Sequence, residues 1–176
     1  MKKINIWFDM DGTIADLYNH KDWLKRLRNN DSTIFEDLET TNFIAELIAD
    51  LNEQIDSWEI DRKNITFGII TWTSMEATYQ MQLDSSKSKA IWARRFSDNY
   101  GLNINFDTHF ISLPYGTPKQ SGLARVENKG YHILIDDNQE VLDTWETRKK
   151  RISVLATNEF VYSMIFESLF ETIMQE

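Results

Sequence analysis

Apolar side chains fall in short unbroken runs along this chain, and longer amphipathic stretches separate them. Residues 3–8 (KINIWF), 65–70 (ITFGII), 109–113 (HFISL), 131–135 (YHILI) and 152–156 (ISVLA) read as β-strands. They are mostly apolar rather than cleanly alternating, as expected of strands covered on both faces of a parallel sheet. Helices are predicted between them. Residues 41–58 carry Phe43, Ile44, Leu47, Ile48, Leu51 and Ile55 along one stripe. Residues 88–100 form a second helix, stopped by Gly101 at a C-cap position. Thr117 and Pro118 open a third, as N-cap and first-turn residue. Residues 139–150 and 158–175 complete the set. Strand and helix in alternation predict a Rossmann-like α/β sandwich of three layers, with right-handed crossovers. Residues 16–40 break the rhythm and read as a short helical cap insertion within a single domain spanning 1–176.

Composition narrows the function classes. The 176 residues can bury one sizeable core. Six Gly and two Pro exclude collagen-like and disordered classes. There is no apolar run long enough for a membrane span. Asp9 and Asp11 sit where a signal peptide needs its apolar stretch, so a cytoplasmic protein is expected. Without Cys, thiolate nucleophiles and thiolate metal sites are excluded. The net charge of −9 argues against nonspecific binding to nucleic-acid backbones, which requires a positive surface.

Polar residues gather at the ends of the predicted strands. The first ends in Asp9, Asp11, Gly12 and Thr13, the second in Thr71, Trp72, Thr73 and Ser74, and the fourth in Asp136, Asp137 and Asn138; Lys119 follows the third. Ligands of open parallel sheets bind at the carboxyl ends of strands. Two carboxylates about 4 Å apart repel by roughly 4 kcal/mol at an effective dielectric near 20. Turn formation and helix capping account for single Asp residues, and Asp137 or Asn138 suits a cap, but not for acids at two distant strand ends. A calcium loop counted from Asp9 fails, because its sixth position is Ile14 and its twelfth His20. Hard oxygen ligands from two loops suit Mg²⁺, which offsets the repulsion. Lys119 stands in the first turn of a predicted helix, where the dipole disfavours a cation unless an anion is also bound there.

These residues resemble the haloacid dehalogenase superfamily of phosphohydrolases. Asp9-Met10-Asp11-Gly12-Thr13 after an apolar strand looks like its first motif, Ile69-Ile70-Thr71 its second, Lys119 its third, and Ile133 to Asp137 its fourth. Thr73 and Ser74 compete with Thr71 for the second motif. DMDGTIAD with LIDD is most similar to the 5′(3′)-deoxyribonucleotidase-like members. The resemblance implies a five-stranded sheet of order 3-2-1-4-5 and Mg²⁺-dependent hydrolysis of phosphomonoesters through an aspartyl phosphate. Dehalogenating members lack the second motif-one aspartate, so Asp11 favours phosphoryl chemistry. The implied roles are Asp9 as nucleophile and Asp11 as general acid and base. Mg²⁺ would be held by the Asp9 carboxylate, the Asp11 backbone carbonyl and the Asp136 carboxylate. Thr71, Lys119 and the backbone N–H groups of Met10 and Trp72 would hold the phosphoryl oxygens. The expected substrate is a small phosphorylated metabolite such as a nucleotide. Alternatives are phosphorylated ends of larger molecules at an uncovered site, and a non-catalytic binding protein that retains the fold.

Other residues have plainer readings. His109 and His132 sit at strand starts, away from the site, whereas His20 lies in the insertion within reach of a substrate. The basic stretch His20 to Arg28 reads as a solvated face or as a cationic lid over an anionic substrate. Residues 148–151 (RKKR) read as a helix C-terminus, where cations suit the dipole. Val161, Ile165, Leu169 and Ile173, with Phe166, Phe170 and Met174, form a stripe suited to core packing or to a homodimer contact.

Overall fold

A computed structural model describes residues 2–75, 77–126, 129–146, 148–157 and 159–176. Five strands form one parallel sheet: β1 (Ile4–Phe8), β2 (Ile65–Trp72), β3 (Phe110–Leu113), β4 (Tyr131–Asp136) and β5 (Arg151–Leu155). Their order is β3-β2-β1-β4-β5, as the motif resemblance implies. The central strand β1 is buried at every position. Ile4, Ile6 and Phe8 join one apolar cluster, and Trp7 joins the other. Two covered faces explain why the strand runs show little polar alternation.

The first face is covered by α2 (Ile44–Ser57), α3 (Tyr79–Tyr100) and α5 (Tyr162–Gln175), the second by α4 (Gln139–Trp145) and a 3₁₀ turn, Lys119–Arg125. In α5, Phe166, Leu169, Phe170 and Ile173 are buried within their own chain, and α2 packs on this helix. Among the described residues, no helix is long and apolar enough to cross a membrane.

Several boundaries differ from the sequence reading. Helix α3 starts nine residues before Ser88, at Tyr79, because Thr78 accepts the Met81 N–H as an N-cap; it ends, as expected, at Gly101 with φ of 63°. The helix opened by Thr117 is a 3₁₀ turn whose N-cap is Pro118, which offers no side-chain cap. Helix α4 ends at Trp145, so Arg148 to Arg151 lie beyond its last turn and the dipole does not account for them. The last helix starts at Tyr162; its expected start, Asn158, lies outside the described residues. Within the insertion, only Trp23–Arg28 (α1) is α-helical, followed by a 3₁₀ turn, Ser32–Glu36. The insertion is fastened to the body: Trp92 Nε1 donates to Leu38 O (2.6 Å), Ser88 Oγ to Glu36 Oε1 (2.8 Å), and Arg95 to Glu36 O.

Candidate active site

The carboxyl ends of the central strands floor a cavity of about 680 Å³. Asp9, Asp11, Lys119, Asp136 and Asp137 line it, with the insertion forming part of the wall. Asp9 leaves β1 as its N–H donates to Ile135 O (2.9 Å), which fixes the strand end against β4. Lys119 is 2% exposed, and its Nζ donates to Asp9 Oδ1 (2.5 Å) and Asp136 Oδ2 (2.6 Å). A lysine at the start of a helical turn, awkward for the dipole, is thus held by two anions of the protein itself. Burial opposes its charge, but Asp9 and Asp136 together raise its pKa above the ordinary lysine value.

Asp136 is buried at the end of β4, and its Oδ1 accepts from Asn138 N (2.9 Å). Burial and repulsion from Asp9 push its carboxyl up despite Lys119. Asp137 is pushed up to about 6, again by burial and then by Asp9. Thr13 tethers Asp137: its hydroxyl accepts from the Asp137 N–H (3.0 Å) and donates to Oδ1 (3.1 Å). Asn138, one of the two cap candidates, caps α4 by accepting from Glu140 N. Gly12 is required between these groups. Its φ is +84°, and a Cβ there would stand 2.5 Å from both Asp137 Oδ2 and the Tyr18 ring.

One carboxylate oxygen from each of Asp9, Asp136 and Asp137 lies within 4.8 Å of the others. Three hard oxygen donors this close could hold a metal ion. Asp11 stands outside this group of carboxylates. Its Oδ2 accepts from Lys89 Nζ (2.5 Å), whereas its buried Oδ1 has no partner among the described residues. Burial pushes the Asp11 carboxyl up, and Asp9 adds to this, against the lowering effect of Lys89.

The hydroxyls at the end of β2 are distributed unequally. Thr71 is fully buried, accepts from Lys89 Nζ (3.1 Å), and is not among the residues lining the cavity. Thr73 and Ser74 do line it, and both hydroxyls are buried without a partner among the described residues. Trp72 also lines the cavity, with its ring 5.2 Å from Lys119 Nζ and 5.1 Å from the Tyr115 ring. Met10 is buried under the floor, and its carbonyl accepts from Ile14 N and Ala15 N.

Lys89, absent from the sequence reading, is fully buried beside Asp11 and Thr71. Its signal in the sequence is a lysine on the apolar stripe of α3, with Met81, Trp92, Ala93 and Phe96. In the insertion, Tyr18, Trp23, Leu24, Leu27 and Phe35 line the cavity, and Arg28 is the cation of α1 that does so. Arg26 pairs with Asp31 and Asp37. His20 is not among the lining residues, and His132 is buried at the opposite end of the sheet.

No protein-family model and no curated protein matches the chain. A solved structure described as a hydrolase from Streptococcus pneumoniae TIGR4 aligns with a TM-score of 0.48 at 10% identity, over 97% of this chain and 100% of that one. So distant a likeness carries no argument about chemistry.

Proposed function

We propose that this protein is a Mg²⁺-dependent phosphomonoesterase working through an aspartyl phosphate. The observation that carries the reading is the bridge from Lys119 to Asp9 and Asp136, with Asp137 close by, at the floor of a strand-end cavity. A carboxylate oxygen of Asp9 attacks phosphorus as the bond to the ester oxygen breaks. Asp11, whose carboxyl burial raises, gives its proton to the departing oxygen and then takes one from the water that clears the phosphate. Asp9, Asp136 and Asp137 hold the divalent cation, with the Asp11 carbonyl as a further oxygen donor. The bound cation supplies charge stabilisation for the transferring phosphoryl group. Lys119 does the same from the protein. The unpartnered hydroxyls of Thr73 and Ser74 suit the phosphoryl oxygens better than that of Thr71, which Lys89 already occupies.

Among substrates, a small ester carrying a flat apolar group, such as a nucleotide, is favoured by walls of Tyr18, Trp23, Phe35, Trp72 and Tyr115. The test is phosphate release from nucleoside monophosphates, sugar phosphates and 5′-phosphorylated oligonucleotides, with Mg²⁺ and with EDTA. Release from the nucleotides that EDTA abolishes is expected. Release from none of the panel would end the phosphatase reading, and preference for the oligonucleotides would end the small-substrate one.

A further inference from the structure

We infer that Lys89 is the positioning residue that holds Asp11 for proton transfer, an assignment that rests on the phosphatase reading above. An ammonium group has three N–H donors. Those of Lys89 meet Asp11 Oδ2 (2.5 Å), Trp72 O (2.7 Å) and Thr71 Oγ1 (3.1 Å), leaving none for a substrate. The Phe35 ring closes the remaining side, with its centroid 4.5 Å from Nζ, and the side chain is 0% exposed. The carboxylate that Asp11 becomes on giving up its proton is the counter-charge of this buried lysine.

The consequence for Asp11 is geometric. Asp11 lines the cavity with one oxygen pinned to the end of β2, and its other oxygen is buried without a partner among the described residues. Freed from Lys89, Asp11 would be drawn towards the cation and Lys119, where it could serve neither the departing oxygen nor the incoming water. The same stretch of α3 fastens the insertion through Ser88 and Trp92, so the wall and the Asp11 clamp share one rigid support. Lys119 touches Asp9 and Asp136, and Lys89 touches Asp11, so the two buried lysines divide these three acids between them, while Thr13 holds Asp137.

The test separates steps that need Asp11 from the one that does not. A general acid or base contributes about a hundredfold or more. Lys89→Met is expected to lower kcat on an alkyl phosphate by about a hundredfold with KM nearly unchanged. On p-nitrophenyl phosphate, whose leaving group needs no proton, a rapid burst of one p-nitrophenolate per enzyme is expected, followed by slow turnover. Because Lys89→Met leaves a charge unpaired, the change is also made in an Asp11→Asn background, where folding does not depend on that pair. There it is expected to change turnover less than twofold. Equal losses on both substrates without a burst, unchanged turnover in the folded single variant, or a further tenfold loss in the Asp11→Asn background would overturn the assignment. A wild-type protein with no Mg²⁺-dependent phosphate release would overturn the phosphatase reading itself, and Lys89 with it.

Discussion

The carboxyl end of the sheet buries Asp9, Asp136, Lys89 and Lys119, while the amino end buries His132 and half-buries His109. The imidazoles stack on Trp7 at 5.4 and 6.4 Å, and His132 Nδ1 accepts from the Trp7 indole (3.1 Å). Burial holds both histidines below their ordinary value, and Arg151 and then His109 help to bring His132 to about 4. They are therefore neutral near pH 7 and serve as packing. At the carboxyl end, burial pushes Asp11, Asp136 and Asp137 up, but lysine partners on Asp11 and Asp136 oppose it. Neutral rings complete a core, whereas acids crowded at a cavity create a demand for further positive charge.

The largest contrast comes from one change at each end. Asp9→Asn is expected to lower phosphate release by roughly a thousandfold or more, as loss of a nucleophile does. His132→Phe should leave turnover unchanged and cost about 1–3 kcal/mol in urea denaturation, because it strands the Trp7 indole donor. A large fall in turnover for the histidine variant would erase the distinction. Lys119→Met is expected to destabilise the metal-free protein by about 3 kcal/mol or more, because it removes the shared partner of two buried carboxylates. Mg²⁺ should recover part of that loss; if it recovers none, Asp9 and Asp136 do not bind the cation. A smaller effect separates the hydroxyls of β2. Thr73→Ala should raise KM by about tenfold, the value of one hydrogen bond to a charged group. Thr71→Val should change stability more than KM, and the reverse pattern would return the phosphate contact to Thr71.

The smallest expected effect is pH-dependent. Asp136 and Asp137 have folded pKa values above the unfolded value of about 3.9, so their protonation favours the folded state. Their contribution to metal-free stability is fully present below about pH 4 and is lost as pH rises through about 6 for Asp137 and about 7 for Asp136. A cation must displace those protons, so the rise in Tm caused by Mg²⁺ should be larger at pH 7.5 than at pH 5. His132 shifts in the opposite direction but cancels in this difference, because it lies far from the cation site. A Mg²⁺ effect on Tm that is equal at the two pH values would remove the linkage.

Much of this arrangement was legible in the sequence because β1 and β4 are short apolar runs that end abruptly in acids. Asp9, Asp11, Asp136 and Lys119 needed only strand counting to be placed. Thr71 was harder: β2 continues to Trp72, beyond the apolar run that ended at Ile70. Thr71 and Thr73 are two residues apart and Thr71 lies one step deeper, where Lys89 reaches it. Lys89 is hard to read because residues 79–87 are polar with weak periodicity, so the sequence places it in the exposed first turn of a helix from Ser88 rather than in the buried middle of α3. Its partners, Asp11 and Thr71, lie 78 and 18 residues away in sequence. The RKKR run departs from the expected helix C-terminus for a local reason. Helix α4 stops at Trp145, and the chain turns at Lys150 with φ of 68° before β5.

A trapped covalent intermediate tests the assignment of Asp9 most directly. Enzyme mixed with substrate and Mg²⁺, then quenched and reduced with borohydride, should yield a peptide in which Asp9 has become homoserine. Phosphate release accompanied by reduction at another residue, or at none, would contradict nucleophilic attack by Asp9.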